Sequence, residues 1–569
     1  MRAIKRRELG WTRARQWFVQ AGVWTAAGLC GALTDPGVQA AEPATSSASA
    51  VTNAPVTVHV FPSGSAQDAA VQAALRDALQ QSTLPTTLQE VDQWSTRLTA
   101  DLRKGGFPLG QVLMTQQDWE ARSKTGQLVF TAFPGRVSEI VIHNKSRVAD
   151  DRLRSIVTHA LCGSATLGED CLFQTSRFER TTQLLQDLPG VALDGAPQFA
   201  PGTGTGTVRV EFPVTEKGKP VSVSASIDNN GIETTGRTRA GVSVSANNYF
   251  GLGEDYAFTI MGTDKRMWTG SVAGSIPIFS DGLRLTAGFT RQQYSVLASG
   301  TPLAGVANTV SAGFLYPFTR GLDRNVWGGL SLLHTNTSVE FSDYGVGTRS
   351  KLDSVQLSLT ANNGDRAQQL RTNVWSAQSA LTVGHQRNDD PSDSVTQRGG
   401  TYVKATGTGF GTYALDRAGN LFLSGRITGQ LADRNLDSSE QLMLGGPTAV
   451  RAYRPDEPSA DEGIVANVGL YRRFSVAAGH QIQPGVFVDY AIARMNHSPW
   501  TNWASSYPGV PNVKNRRNLA GYGVSVDWLT PYGATVSASV AKPFGFSDGS
   551  WVEPGRKPVQ FWLGVTWNH

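Results

Sequence analysis

From Val221 to the C-terminus, apolar residues alternate with polar or small ones in segment after segment, and no other feature limits the fold of this chain so strongly. Val221, Val223, Ala225 and Ile227 alternate with Ser222, Ser224, Ser226 and Asp228. Leu283, Leu285, Ala287 and Phe289 alternate with Arg284, Thr286, Gly288 and Thr290, and the chain ends with Val559, Phe561, Leu563, Val565 and Trp567 on one face. A period of two is that of a β-strand, whose successive side chains point to opposite faces. A strand with one face for hydrocarbon and one for water crosses a bilayer only within a closed barrel, because lipid offers no partner to the N–H and C=O groups of an open edge. Such segments begin near residues 221, 238, 254, 267, 282, 306, 326, 351, 372, 400, 419, 463, 480, 517, 532 and 558. Sixteen is even, as single-chain outer-membrane barrels require. A soluble β-sandwich would alternate similarly, but the export signal described next favours the membrane.

Arg2, Lys5, Arg6, Arg7, Arg13 and Arg15 precede a mainly apolar stretch from Trp17 to Leu33, and Val38-Gln-Ala40 places small or modest residues where a signal peptidase reads. Residues 1–40 are therefore expected to be a signal peptide, and the small, polar residues 41–55 a flexible linker. Only 17% of the 569 residues are charged and the net charge is +5, without a dense basic run after the signal, which argues against a nucleic-acid partner. After cleavage two of the three cysteines remain, Cys162 and Cys171, in an oxidising compartment. They form either a disulfide or two small buried hydrophobes.

Between linker and barrel the periodicity is mixed. Val56-Thr-Val-His-Val60 reads as a strand; Val71, Leu75 and Leu79, then Leu88, Val91, Trp94, Leu98 and Leu102, mark two helices; Gln111–Met114 and Gln127–Ala132 read as strands. A strand at Val137–His143, helices around Leu153–Leu161 and Phe178–Leu188, and a closing strand at Val208–Val214 repeat this plan. The reading is two α+β units, 56–136 and 137–217, followed by an all-β barrel at 218–569, each unit offering sheet edges that can take an extended peptide.

The segment Gly445-Gly-Pro-Thr-Ala-Val-Arg-Ala-Tyr-Arg-Pro-Asp-Glu-Pro-Ser-Ala-Asp-Glu-Gly463, between the eleventh and twelfth strands, resembles the inward-folded loop of the two-partner secretion outer-membrane transporters, the filamentous-haemagglutinin and haemolysin secretion/activation family. Val450-Arg451-Ala452-Tyr453 matches the loop tip of that family, with Ala452 in place of its Gly. Leu98–Leu102, Gly105–Pro108, Gly126–Phe130 and Pro134–Val137 are similar to its first polypeptide-transport-associated (POTRA) domain; Phe178–Arg180, Leu188–Val191 and Pro201–Gly206 look like the second; Asp228–Gly231 and Thr235–Arg237 look like the barrel entry. The resemblance implies two POTRA domains and a 16-stranded antiparallel barrel in the outer membrane of a Gram-negative bacterium. It also implies that the loop-tip Arg pairs with the Asp of a Phe-x-Asp-x-Gly pattern, matched by Phe487-Val-Asp489-Tyr-Ala491 except that Ala491 replaces the Gly.

Arg451 and Asp489 are therefore the expected loop-latch ion pair, with Val450, Ala452, Tyr453, Asp461 and Gly463 completing the loop motif. Tyr453, Arg454 and Asp461 either join this latch or are solvated. The sequence contains no His-Glu-x-x-His, Cys-x-x-Cys or Gly-x-x-x-x-Gly-Lys, so neither an enzyme nor a resident cofactor or metal is expected. The expected function is export of a large exoprotein, an adhesin or haemolysin, recognised through its N-terminal secretion domain and passed unfolded through the barrel without ATP. The expected partners are that exoprotein, outer-membrane lipid and the barrel-assembly machinery. An assembly and insertion factor of the same superfamily is the alternative; a diffusion porin has no need of the N-terminal units. With so few residues before Val56, a plug helix is expected to be short or missing.

Overall fold

The computed structural model describes residues 56–61, 68–79, 84–298, 301–341, 346–369, 373–389, 393–507, 509–545, 547–555 and 559–569. The signal peptide, the linker and the plug expectation lie outside these residues.

The first unit consists of β1 (Val56–Val60), α1 (Asp68–Leu79), α2 (Leu88–Lys104), β2 (Gln111–Leu113), α3 (Gln116–Thr125) and β3 (Leu128–Phe133), with a sheet ordered β1-β3-β2. Helix α2 starts at a capping box: the Thr87 hydroxyl accepts from Glu90 N while the Glu90 carboxylate accepts from Thr87 N. Its buried face, Val91, Trp94, Leu98 and Leu102, lies on Phe107, Val112 and Phe130 from the loop and sheet. Helix α3 is missing from the sequence expectation, which has two helices here. It has no apolar stripe to betray it, and its ends are set by the Thr115 cap on Asp118 N and by Gly126 in the left-handed conformation.

The second unit follows as β4 (Arg136–Lys145), α4 (Asp150–Cys162), α5 (Thr175–Asp187), β5 (Val191–Leu193), β6 (Gln198–Pro201) and β7 (Thr207–Glu216), with β7 central in its sheet, parallel to β4 and antiparallel to β5 and β6. Cys162 at the end of α4 and Cys171 are joined as a disulfide inside this unit's core. Arg136 is 1% exposed; it reaches Asp68 of the first unit at 3.5 Å and donates to the Glu169 carbonyl.

Sixteen antiparallel strands close the barrel, beginning at Val221, Arg239, Asp255, Trp268, Arg284, Thr301, Asn325, Val346, Val374, Gly400, Leu421, Glu462, Gln481, Arg516, Ala534 and Gln560; Phe474–Ser475 continues the twelfth. Sequence and structure agree closely on these starts. The largest offsets fall at the sixth and eighth strands, which begin earlier, at Thr301 and Val346. The last strand shows the two-sided wall: Phe561, Leu563 and Trp567 are exposed on the outer surface, whereas Gln560 and Trp562 are buried on the lumen side. The first and last strands pair from Gly564↔Asp228 to Asn568↔Ser224, with further backbone hydrogen bonds between Val223 and His569 and from Asn229 N to the Leu563 carbonyl. The Asn229 side chain prolongs that seam, donating to the Phe561 carbonyl at 2.8 Å and accepting from Leu563 N at 2.8 Å.

The second unit is docked on one end of the barrel through turns between strands. Arg152 donates to the Pro277 and Phe279 carbonyls (2.6 and 3.1 Å), and Arg180 to those of Pro317 and Asp281 (2.8 and 2.9 Å). Arg320, at the end of the sixth strand, is 3% exposed and grips Asp187 of α5 with both Nε and Nη2 at 2.6 Å. Asp187→Asn is expected to loosen this docking by about 1–3 kcal/mol, since Arg320 is left with Asp365 and Asn325 as weaker partners. Faster hydrogen exchange in α5 than in the wild type checks this.

Candidate functional site: a loop seated in the barrel

The connection between the eleventh strand (Leu421–Ala432) and the twelfth (Glu462–Arg472) turns back into the lumen. It braces itself first: Leu442 and Ala460 exchange backbone hydrogen bonds (2.8 and 2.9 Å), Val450 N donates to the Leu444 carbonyl (3.0 Å) and Gly446 N to the Tyr453 carbonyl (2.9 Å). Gly445 is required here, because a β-carbon would stand 2.1 Å from the Arg454 carbonyl oxygen. The braced loop presents Leu442, Leu444, Val450, Ala452 and Tyr453 to a lumen wall of Val465, Phe487, Ala491, Ala493, Leu519 and Ala541. Most of that wall is small, so the loop backbone approaches the strands closely.

At the tip, Arg451 meets Asp489 of the thirteenth strand (Gln481–Arg494) in a two-point contact, Nε to Oδ2 at 2.8 Å and Nη2 to Oδ1 at 2.7 Å. Arg451 N also donates to Oδ2 (3.0 Å), and Asn467 Nδ2, from the neighbouring strand position, donates to Oδ1 (2.8 Å) and to the Ala449 carbonyl (2.7 Å). Four donors thus satisfy a carboxylate that is fully buried. The guanidinium lies over the Phe487 ring at 3.2 Å, and Trp562 Nε1 donates to the Arg451 carbonyl at 2.8 Å. Burial acts to weaken the charged form of Arg451, but the hydrogen bonds and charge of Asp489 outweigh it and hold its pKa above the ordinary arginine value.

The remaining loop residues face other partners. Tyr453, fully buried, donates to the Asp548 carbonyl at 2.7 Å and lies 2.8 Å from Ser547 Oγ; burial pushes its phenol up to about 12, so it remains a neutral donor at physiological pH. Arg454 binds Asp456, Glu553 (3.0 Å) and Glu233 (2.6 Å), and so bridges the loop to two other connections on that side of the barrel. Asp461 accepts from Leu436 N (3.1 Å), His497 N (2.8 Å) and Gln441 Nε2 (2.8 Å), holding the base of the loop rather than its tip. Gly463 opens the twelfth strand where a β-carbon would meet Ile492 O at 2.7 Å. Tyr453, Arg454 and Asp461 are therefore neither solvated nor part of the Arg451–Asp489 contact.

A second buried ion pair has no counterpart in the sequence reading. Glu457 and Arg517 are both fully buried, 3.0 Å apart; Trp551 N (3.1 Å) and Ser550 Oγ complete the carboxylate, and Arg517 lies over the Trp551 ring at 4.2 Å. The sequence signal for Arg517 was a charge on the lumen-facing register of a strand. For Trp562 it was a large aromatic on the otherwise small or polar face of the last strand.

Ala452 occupies the position of the Gly in the resembled motif, and it does not have a positive φ. The opposite strand supplies the room: a β-carbon on Gly521 would stand 2.5 Å from that of Ala452. Among the described residues no group of three or more His, Cys, Asp or Glu side chains is placed to hold a metal ion.

A sixteen-stranded barrel with α+β units at its N-terminal end and a loop seated in its lumen defines a polypeptide-transport class of outer-membrane protein. Residues 206–506, more than half of the chain, match the family described as haemolysin secretion/activation protein ShlB/FhaC/HecB, and the chain belongs to that family of two-partner secretion transporters. The heme/hemopexin transporter protein HuxB of Haemophilus influenzae strain 86-028NP is 19% identical over 485 residues, covering 84% of this chain and 81% of HuxB. CdiB from Escherichia coli superposes with a TM-score of 0.70 at 16% identity over 92% of this chain and 93% of its own. CdiB from Acinetobacter baumannii gives 0.67 at 14% identity over 98% and 96%. The family places the barrel in the Gram-negative outer membrane and makes the protein a transporter paired with a secreted exoprotein.

Charge reversal at either Arg451 or Asp489 alone is expected to cost about 3–5 kcal/mol of loop seating, because the other charge is left buried without its partner. The double exchange restores part of it, read as protection of the Tyr453–Arg454 bond from chymotrypsin. Gly521→Ala is expected to unseat the tip by steric conflict with Ala452, and adding Ala452→Gly to reseat it, by the same protease readout.

Proposed function

We propose that this protein passes a large exoprotein, of the adhesin or haemolysin kind, unfolded through its barrel without ATP, and that the seated loop is the element that moves to admit it. The observation that carries this reading is the Arg451–Asp489 contact. It fixes the loop across the lumen by charge-assisted hydrogen bonds on a wall of small side chains, an arrangement that holds without covalent chemistry and can be released and remade. The lumen-facing polar rows give an extended polypeptide a hydrated path once the loop withdraws. The work of transport comes from folding of the cargo outside, since the sequence contains no phosphate-binding loop.

In this reading the two N-terminal units are POTRA domains in the periplasm, at 56–136 and 137–217. The exoprotein's N-terminal secretion domain binds them by adding a strand to an open sheet edge, for which β1 and β2 border the first sheet and β4 the second. Docking of the second unit against the barrel turns by Arg152, Arg180 and Arg320 then delivers the bound segment to the lumen entrance. Lipid covers the apolar outer wall, and the barrel-assembly machinery inserts the chain through its last strand, Gln560–Asn568.

Deleting residues 56–217 is expected to abolish appearance of the exoprotein in the medium while the barrel still inserts. Secretion at the wild-type level would rule out the recognition role. Proteoliposomes holding only this protein are expected to take up urea-unfolded exoprotein segments equally with and without nucleotide; dependence on ATP would refute the energetics.

A further inference from the structure

The outer wall carries a basic patch that transport does not use. On the ninth strand (Val374–Asn388) the outward residues run Trp375, Ala377, Ser379, Leu381, Val383, and then His385 and Arg387. At about 3.3 Å per residue and a tilt near 40°, Trp375 to Val383 spans roughly 20 Å of height, close to the apolar band of a barrel of this kind. His385 and Arg387 therefore stand at the rim of the hydrocarbon, on the end opposite the docked N-terminal unit.

Register continues this rim sideways. Arg291, Asn308, Asn336, Lys351 and Arg387 are cross-strand neighbours in one row over the fifth to ninth strands, and Val310, His334, Asp353, His385 and Thr401 form the row beneath it. The single carboxylate in the two rows is already engaged: Asp353 lies 2.5 Å from His334 Nδ1 and 3.1 Å from Arg387 Nη2. Asn336 Nδ2 stands 2.9 Å from His334 Nε2, and Arg291 donates to Asn308 (3.2 Å). What remains is an excess of positive charge from Arg291, Lys351 and Arg387, on a rigid sheet directly above exposed Leu332, Val355 and Val383.

We propose that this rim binds the phosphate groups of a phosphorylated lipid of the outer leaflet, with the acyl chains lying on the apolar wall below. Charge complementarity picks the headgroup, and the adjoining apolar surface picks a lipid over a soluble anion. The bland alternative is a solvated charged wall, which would have no preference among lipids. The leaflet assignment rests on the periplasmic placement of the N-terminal units, but binding in micelles does not, so failure of either reading leaves the other standing.

Native mass spectrometry of the purified full-length protein in detergent, with bis-phosphorylated lipid A as probe, tests the proposal. The wild type is expected to retain it, to bind dephosphorylated lipid A or phosphatidylglycerol at least tenfold more weakly, and not to lose the lipid to equimolar inorganic phosphate. The set R291Q/K351Q/R387Q is expected to weaken binding at least tenfold and the charge-keeping set R291K/K351R/R387K to preserve it, both migrating as folded barrels in unheated gels. Equal binding by the neutralised set, equal binding of the dephosphorylated lipid, or displacement by equimolar phosphate would each overturn it.

Discussion

Everything in this molecule depends on closing the hydrogen-bond ladder around the barrel. In hydrocarbon each unpaired backbone group costs several kcal/mol, so sixteen strands must find a partner on both sides and the last must return to the first. That return is the shortest pairing in the ring. It runs from Gly564↔Asp228 to Asn568↔Ser224, and Asn229 prolongs it through its backbone N–H and its side-chain amide. Closure also creates the lumen, and with it the only environment in which the loop can sit against protein rather than in water or lipid.

Inside that lumen, polar groups are affordable where they are completed. Asp489 receives four donors and Glu457 is met by Arg517, Ser550 and Trp551, so each carboxylate is buried without being stranded. Around the two pairs the loop and wall bury alanines, valines and leucines together with Tyr453, Phe487 and Met495. Such an interface is specific because misplacement strands charges.

Much of the architecture was legible beforehand. The strand starts were visible because bilayer and water impose opposite demands on alternate residues, and the Arg451–Asp489 partnership was legible through its motif. Helix Gln116–Thr125 was invisible because nothing packs on it with helical period; its ends depend on Thr115 and Gly126 alone. The Glu457–Arg517 pair escaped because its members are sixty positions apart in unremarkable surroundings, and Trp562 because a tryptophan on the lumen face reads as an irregularity until the Arg451 carbonyl is seen beside it.

The sequence by itself determined that the chain closes into a membrane barrel behind two α+β units, since period-two amphipathy and mixed apolar periodicity are local properties written along the backbone. Only the tertiary structure decided how the loop is held: which lumen strands supply Asn467, Gly521, Arg517 and Trp562, and that Ala452 fits because the residue facing it has no side chain. Those relations follow from barrel closure and strand register, which bring distant positions within a few ångströms, and no local pattern encodes them.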